Sequence, residues 1–300
     1  MLKIAWAPIY AHPLPAGHRF PMVKYELLPE QLLYEGTIQS QNLFEPKPME
    51  EDIFLQIHDE VYWKKLLELK LSKKEERKSG FPLSKELVQR EITILDGTLQ
   101  AAKYALEYGV GMNVAGGTHH AYRDRAEGFC LLNDVAVSAQ YLLNHKLAKQ
   151  ILVVDLDVHQ GNGTAKIFEN ESRVFSFSMH GARNYPMHKE KSDLDIELED
   201  GTGDAEYLNK LEHTINQLMV EVNPDFIFFV SGVDILATDK LGRLGISLEG
   251  CKERDRLVID LCKTQKIPLV ISMGGGYSEK IQHIVDAHAN TFRLVQEIYF

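Results

Sequence analysis

A chain of 300 residues that is 44% apolar and 25% charged, with a formal charge of −10, is long and apolar enough to bury a sizeable core. Those proportions exclude the disordered and collagen-like classes, and the acidic balance argues against general nucleic-acid binding and favours cationic ligands. The apolar run Phe226 to Val230 falls far short of the roughly 20 residues of a spanning helix, so no membrane segment is expected.

In chain order, Leu2 to Ala7 predicts a first strand, followed by a proline-rich turn from Pro8 to Pro15 and a helix around Met22 to Tyr34. Asp59 to Leu71 has apolar residues at helical spacing and runs into a mixed charge stretch, Lys70 to Lys78, which reads as a solvated helix end or loop without a function. Ser84 is a predicted N-cap for a long helix from Lys85 to about Tyr108, carried by Ile92, Leu95, Leu99, Ala102 and Leu106. From Gly111 the texture changes to short strands alternating with helices. Strands are predicted at Met112 to Ala115, Ile151 to Val154, Arg173 to Ser178, Phe226 to Val230 and Pro268 to Met273. Helices are predicted at about Asn133 to Asn144, Glu206 to Val222, Glu249 to Gln265 and Glu279 to Glu297. This alternation predicts a mainly parallel sheet flanked by helices, with the Ile151 strand central and one α/β domain over residues 1–300. The amino terminus lacks the apolar core of a signal peptide, and Cys130, Cys251 and Cys262 sit at no metal-finger spacing. Both fit a cytoplasmic, reducing location.

Four strands end in glycines and polar groups: His119 and His120, Asp157 and His159, Asp234, and Tyr277. Ligands of open parallel sheets bind at the carboxyl ends of strands, so one crevice is expected to hold all four groups. The run I-L-V-V-D-L-D-V-H ends a buried strand in Asp155, Asp157 and His159, which alternation would place on one face. Two carboxylates and an imidazole aimed at one point need a cation between them. Asp157, His159 and Asp234 make a three-ligand catalytic set for Zn²⁺, which Fe²⁺, Co²⁺ or Mn²⁺ also suits; taken alone, Asp234 reads as a helix N-cap before Ile235 sooner than as a ligand. Adjacent histidines diverge too far to ligate one ion but suit a base and a proton donor, or are simply loop residues. Asp155 and Asn162 are the nearest groups to orient them. Tyr277, after three glycines, either donates to an oxyanion or packs on its turn.

With G-G-T-H-H-A at Gly116 to Ala121, G-F-C-L-L-N-D at Gly128 to Asp134, D-L-D-V-H-Q-G-N-G at Asp155 to Gly163, S-G-V-D at Ser231 to Asp234 and G-G-G-Y at Gly274 to Tyr277, the chain resembles the zinc-dependent histone deacetylase family. Q-G-N-G at Gln160 to Gly163 and L-V-Q-R at Leu87 to Arg90 resemble its class IV branch and bacterial relatives. The resemblance implies an arginase-like α/β fold and metal-dependent removal of an acetyl or other acyl group from lysine or a similar amine. It implies zinc on Asp157, His159 and Asp234, His119 and His120 as the catalytic pair oriented by Asp155 and Asn162, and Tyr277 polarising the carbonyl. It implies an acyl-lysine tunnel walled by Gly128, Phe129 and Tyr185 beside Gly275. Arg19 is matched to the base of an acetate-release channel, and Asp155, Asp157, His159, Ser178 and Met179 to a structural potassium site.

Two departures stand out. Asn162 replaces the aspartate of class I enzymes, which makes His120 the expected neutral base. No counterpart of the class I rim aspartate is found near Gly80 to Ser84. A two-manganese ureohydrolase on the same fold is set aside because Gly161 and Gly232 stand where such enzymes place carboxylates, and a non-catalytic binding module because every expected site position is filled. The choice among acetyl-lysine, longer acyl-lysines and acetylated polyamines stays open, as does the oligomeric state.

Overall fold

Uncharged, largely apolar runs such as Phe226–Val230 and Leu269–Ser272 form strands, and eight strands pair in parallel into one sheet. The computed structural model describes residues 1–300. Its strands are β1 (Ile4–Ala5), β2 (Leu43–Phe44), β3 (Val110–Asn113), β4 (Ile151–Asp155), β5 (Val174–Gly181), β6 (Leu194–Leu198), β7 (Phe226–Val230) and β8 (Leu269–Ser272), in the order β2-β1-β3-β8-β7-β4-β5-β6.

The strand expected at the centre, β4, is interior but lies between β7 and β5, while β8 and β7 take the middle. Local sequence shows that a strand is buried on both faces, not where it stands in the order; β4, β7 and β8 are all fully buried. The edge strand β6 escaped notice because L-D-I-E-L buries only Leu198 and leaves the rest partly or fully exposed.

Register aligns the functional ends. Asp155 of β4 pairs with Ser178 of β5 and Val230 of β7, and Val230 pairs with Ser272 of β8. The segments that follow β3, β4, β7 and β8 therefore leave the sheet at one edge, as the four polar strand ends required. One core of 82 buried residues runs from Leu2 to Val295 beneath that edge.

The long helix Lys85–Tyr108 matches its expected bounds because both ends are written locally: Ser84 Oγ accepts from the Leu87 N–H at 3.1 Å, and Gly109 closes the helix in the left-handed region. The charge run does more than end a helix. Asp59 caps a short helix Glu60–Leu67, and a separate helix Lys73–Ser79 follows, opened by a reciprocal Ser72 and Glu75 capping box and closed by Gly80. The helix Asn162–Phe168, hidden behind its glycines in the sequence, is almost wholly buried. No helix is long and apolar enough to cross a membrane.

Candidate active site

β4 ends at Asp155, so strand alternation does not carry on to Asp157 and His159; a bend holds them instead. The Asp157 N–H donates to Asp155 Oδ1 at 3.2 Å and the His159 N–H to Asp157 Oδ1 at 3.0 Å, so each carboxylate holds the backbone amide two residues on. Asp234 is no helix N-cap, since the next helix starts only at Leu248. Its Oδ1 accepts from the Val158 N–H at 2.9 Å, stitching the two acidic segments together. Behind them the buried Arg254 donates to the carbonyls of Leu156 at 3.1 Å and Gly232 at 2.7 Å, and its own charge is matched by Asp255 at 2.7 Å.

One ligand atom from each of Asp157, His159 and Asp234 lies within 4.8 Å of the others, and all three residues are buried. Burial works against charge on His159, yet the carboxylates of Asp157 and Asp234, at 3.0 and 3.1 Å from Nδ1, raise it to about 10. Burial and the nearby Asp157 charge push the Asp234 carboxyl up to about 7. Two buried carboxylates that hold a positive charge between them suit a divalent cation. A second ion has no room for the carboxylates that would bind it. A Cβ at Gly161 would stand 2.1 Å from Asp155 Oδ2, and one at Gly232 would stand 2.3 Å from Asp157 Oδ2.

Gly275 is part of the same cradle: its N–H donates to Asp157 Oδ2 at 2.7 Å, and a Cβ there would reach 2.0 Å from Asp234 Oδ2. Gly275→Ala is expected to weaken divalent-ion affinity roughly 10- to 100-fold, as loss of a group that orients a ligand does. Competition against a chromophoric chelator reads this directly; unchanged affinity would show that the turn yields without disturbing the carboxylates.

The tandem histidine rings lie tilted at 46° with centroids 4.1 Å apart and have different partners. His119 Nδ1 meets Asp155 Oδ2 at 2.7 Å; burial opposes its charge, but Asp155 and Asp157 outweigh that and raise it to about 9. His120 Nδ1 meets Asn162 Oδ1 at 2.6 Å, and burial together with the positive histidines nearby holds it well below 6.5. The Asn162 amide is fixed by what lies behind it: Nδ2 donates to the Tyr122 hydroxyl at 3.0 Å and to Glu127 Oε2 at 3.4 Å. Oδ1 must therefore face His120, so the proton of the neutral ring sits on Nδ1 and the lone pair on Nε2. The pair thus combines a charged donor with a neutral acceptor.

Tyr277 is held by its N–H donating to Asp239 Oδ2 at 2.6 Å, and its ring lies 5.9 Å from Phe129 and 6.3 Å from His159. Burial and the carboxylates of Asp157 and Asp234 raise its hydroxyl well above 10, so it remains a donor. A narrow cavity of about 30 Å³ is lined by Phe20, Arg90, Phe129, Asp157, Gly275 and Tyr277. It shares His120, Gly128, Phe129, His159 and Tyr277 with an open mouth of about 770 Å³. Tyr185 faces the mouth with its ring 5.0 Å from His120 and its hydroxyl donating to Glu127 at 2.8 Å. Ser178 and Met179 are buried on β5, with Ser178 beside Asp155.

Arg19 does not lie at the base of the cavity. It is exposed at the mouth with its guanidinium 5.0 Å from the Phe129 ring centroid, and the buried Arg90, paired with Glu91, lines the inner cavity instead. L-V-Q-R already contained that arginine, but a motif does not show depth. Lys24 was also missed. It is fully buried, with Nζ donating to the Gly274 carbonyl at 3.1 Å, and burial lowers it to about 8. Nothing in its local sequence marks it.

The family model of the histone deacetylase domain matches residues 18–292. An uncharacterised protein of Picosynechococcus sp. is 40% identical over 296 residues, 99% of each chain. Histone deacetylase 2 of Arabidopsis thaliana is 29% identical, over 89% of this chain and 72% of its own length. The acetoin utilization protein AcuC of Staphylococcus aureus is 29% identical, over 86% of this chain and 72% of its own. Among solved structures, a histone deacetylase homologue complexed with SAHA superposes with a TM-score of 0.85 at 24% identity, over 99% of this chain and 84% of that one. A homologue from Aquifex aeolicus gives 0.84 at 24% identity, over 97% and 82%. These structural likenesses speak for the fold. Matched along nearly all of its length, the chain belongs to the histone deacetylase family.

Proposed function

We propose that residues 1–300 act as one catalytic domain that hydrolyses the side-chain amide of an acylated lysine, or of a similar acylated amine. The observation that carries this reading is the pairing of His119 with Asp155 and of His120 with the neutral amide of Asn162, both beside the Asp157, His159 and Asp234 cluster. A divalent ion on those three residues, Zn²⁺ first and Fe²⁺ or Co²⁺ as alternatives, supplies Lewis acidity toward the scissile carbonyl and a water. His120 Nε2 takes the proton of the attacking water. His119 gives a proton to the leaving amine, and Asp155 stabilises its charge. The Tyr277 hydroxyl donates to the oxygen that becomes negative. Gly128, Phe129 and Tyr185 guide the acyl-lysine chain in from the mouth, with Gly275 close behind the carbonyl. A potassium ion on Asp155, Asp157, His159, Ser178 and Met179, partly through backbone carbonyls, would stiffen the base of the site; the β4 and β5 register brings Asp155 and Ser178 together. Three buried free thiols accord with a cytoplasmic enzyme, and Q-G-N-G accords with the class IV branch.

Purified protein, stripped with a chelator and reloaded with Zn²⁺, Fe²⁺ or Co²⁺, is expected to lose and regain hydrolysis of acyl-lysine peptides in proportion to metal bound. Metal-replete protein that cleaves neither these peptides nor acetylpolyamines would end the proposal.

A further inference from the structure

The mouth of the site carries the opposite charge to the chain. The chain has 33 Lys and Arg against 43 Asp and Glu. The mouth is nevertheless lined by six cations, Arg19, Arg77, Lys78, Arg125, Arg183 and Arg243, against the two carboxylates Glu127 and Glu190. Ion pairing reduces this excess without cancelling it. Lys78 and Arg125 share Glu127 at 3.0 and 3.2 Å, Arg125 also meets Asp124 at 3.0 Å, and Arg183 and Arg243 share Asp200 at 3.8 and 3.3 Å. Counting Asp124 and Asp200 with the two mouth glutamates leaves six cations to four carboxylates. Arg77 and Arg19 form no ion pair: Arg77 Nε donates to the Lys73 carbonyl at 3.1 Å, and Arg19 lies over the Phe129 ring at 5.0 Å. Five separate segments of chain supply these cations, so the positive rim is a property of the whole entrance. Gly80 to Ser84 bring no carboxylate to it.

An acylated lysine is neutral at its nitrogen, so charge discrimination must act on what surrounds it. We infer that the preferred substrate is an acyl-lysine within an acidic stretch of polypeptide, whose Asp or Glu side chains meet the arginine-rich mouth while the acyl-lysine enters between Phe129 and Tyr185. This rests on the deacylase reading above and narrows it. Acetylpolyamines keep protonated amines, which would stand among Arg19, Arg77, Arg183 and Arg243; the same field repels them. The sign of the whole chain, which favours cationic ligands, is reversed at the entrance.

The test compares three acyl-lysine peptides, identical except that the flanks carry Asp and Glu, Asn and Gln, or Lys and Arg, beside an acetylpolyamine, on metal-loaded enzyme. At about 0.01 M salt, where charges act over about 30 Å, kcat/KM for the acidic peptide is expected to exceed that for the basic one by roughly tenfold or more, chiefly through KM. At about 1 M salt, with a screening length of about 3 Å, the ratio should shrink toward one. Arg77→Glu combined with Arg183→Glu should also lower the ratio at low salt. Both positions are exposed, and the kcat of the neutral peptide reports whether the double variant keeps an intact centre. Equal kcat/KM for acidic and basic peptides at low salt, with good turnover of both, would overturn the inference and leave the deacylase reading standing. Preference for the acetylpolyamine would overturn it as well. Hydrolysis of none of the four would overturn both.

Discussion

Tyr277→Phe is expected to lower kcat roughly 10²- to 10³-fold, about 3 to 4 kcal/mol of transition-state stabilisation, while metal content and fold stay those of the wild type. The prediction follows from how the residue is held. Its position comes from the backbone N–H on Asp239 at 2.6 Å and from ring packing against Phe20 and Phe129, at 6.0 and 5.9 Å between centroids. Phenylalanine keeps all of this and removes only the hydroxyl. Because burial and the Asp157 and Asp234 carboxylates keep that hydroxyl protonated, what is lost is a donor whose interaction strengthens as charge grows on the carbonyl oxygen. Substrate affinity should therefore change far less than turnover. Single-turnover kinetics with metal analysis on the same sample decide the matter, and near-normal turnover at full metal occupancy would reduce Tyr277 to a packing residue.

His120→Ala is expected to cost roughly 10²- to 10⁴-fold in kcat, the range of a positioned general base, again without loss of metal. Tyr122 and Glu127 fix Asn162, Asn162 fixes the His120 tautomer, and the lone pair at Nε2 is set before substrate arrives. The direction of the pH effect follows from the same chain of contacts. A base must be unprotonated to act, so the acidic limb of the kcat/KM profile reports its pKa. Asn162→Asp would place a carboxylate where an amide now sits, raise that pKa and move the limb to higher pH. An unshifted limb in Asn162→Asp, or retained activity in His120→Ala, would give the base to another group.

How far the sequence revealed the molecule depended on the distance over which each feature is decided. The helix Lys85–Tyr108 was legible in both start and approximate end because its caps, Ser84 and Gly109, stand beside it in the chain. Asp157, His159 and Asp234 were legible because polar groups after an apolar strand are a local anomaly, although strand alternation was the wrong reason: a bend unites Asp157 and His159 with Asp155. The groups that hold the site in place were not legible. Arg254 in the helix Leu248–Gln265, Asp239 beneath Tyr277, Glu127 behind Asn162 and Lys24 under Gly274 reach the site across long sequence separations, and only packing reveals which charged residues point inward. Arg19 and Arg90 show the same limit: two arginines were available for one expected place, and depth in the fold separated them. The charged helix Lys73–Ser79 has the local sequence of solvated surface, and only its place in the fold brings Arg77 and Lys78 to the mouth.

The buried bracket of Arg254 and Asp255 bears on how the protein matures. Arg254 holds the Leu156 and Gly232 carbonyls, and Asp255 accepts from the Ser231 hydroxyl at 3.1 Å and the Thr291 hydroxyl at 2.6 Å. The two acidic segments are therefore tied together by the polypeptide itself, unlike small metallodomains in which the ion supplies the folding energy. The metal-free chain is thus expected to keep its native arrangement. Metal supply would then set the fraction of molecules that are active rather than the fraction that are folded.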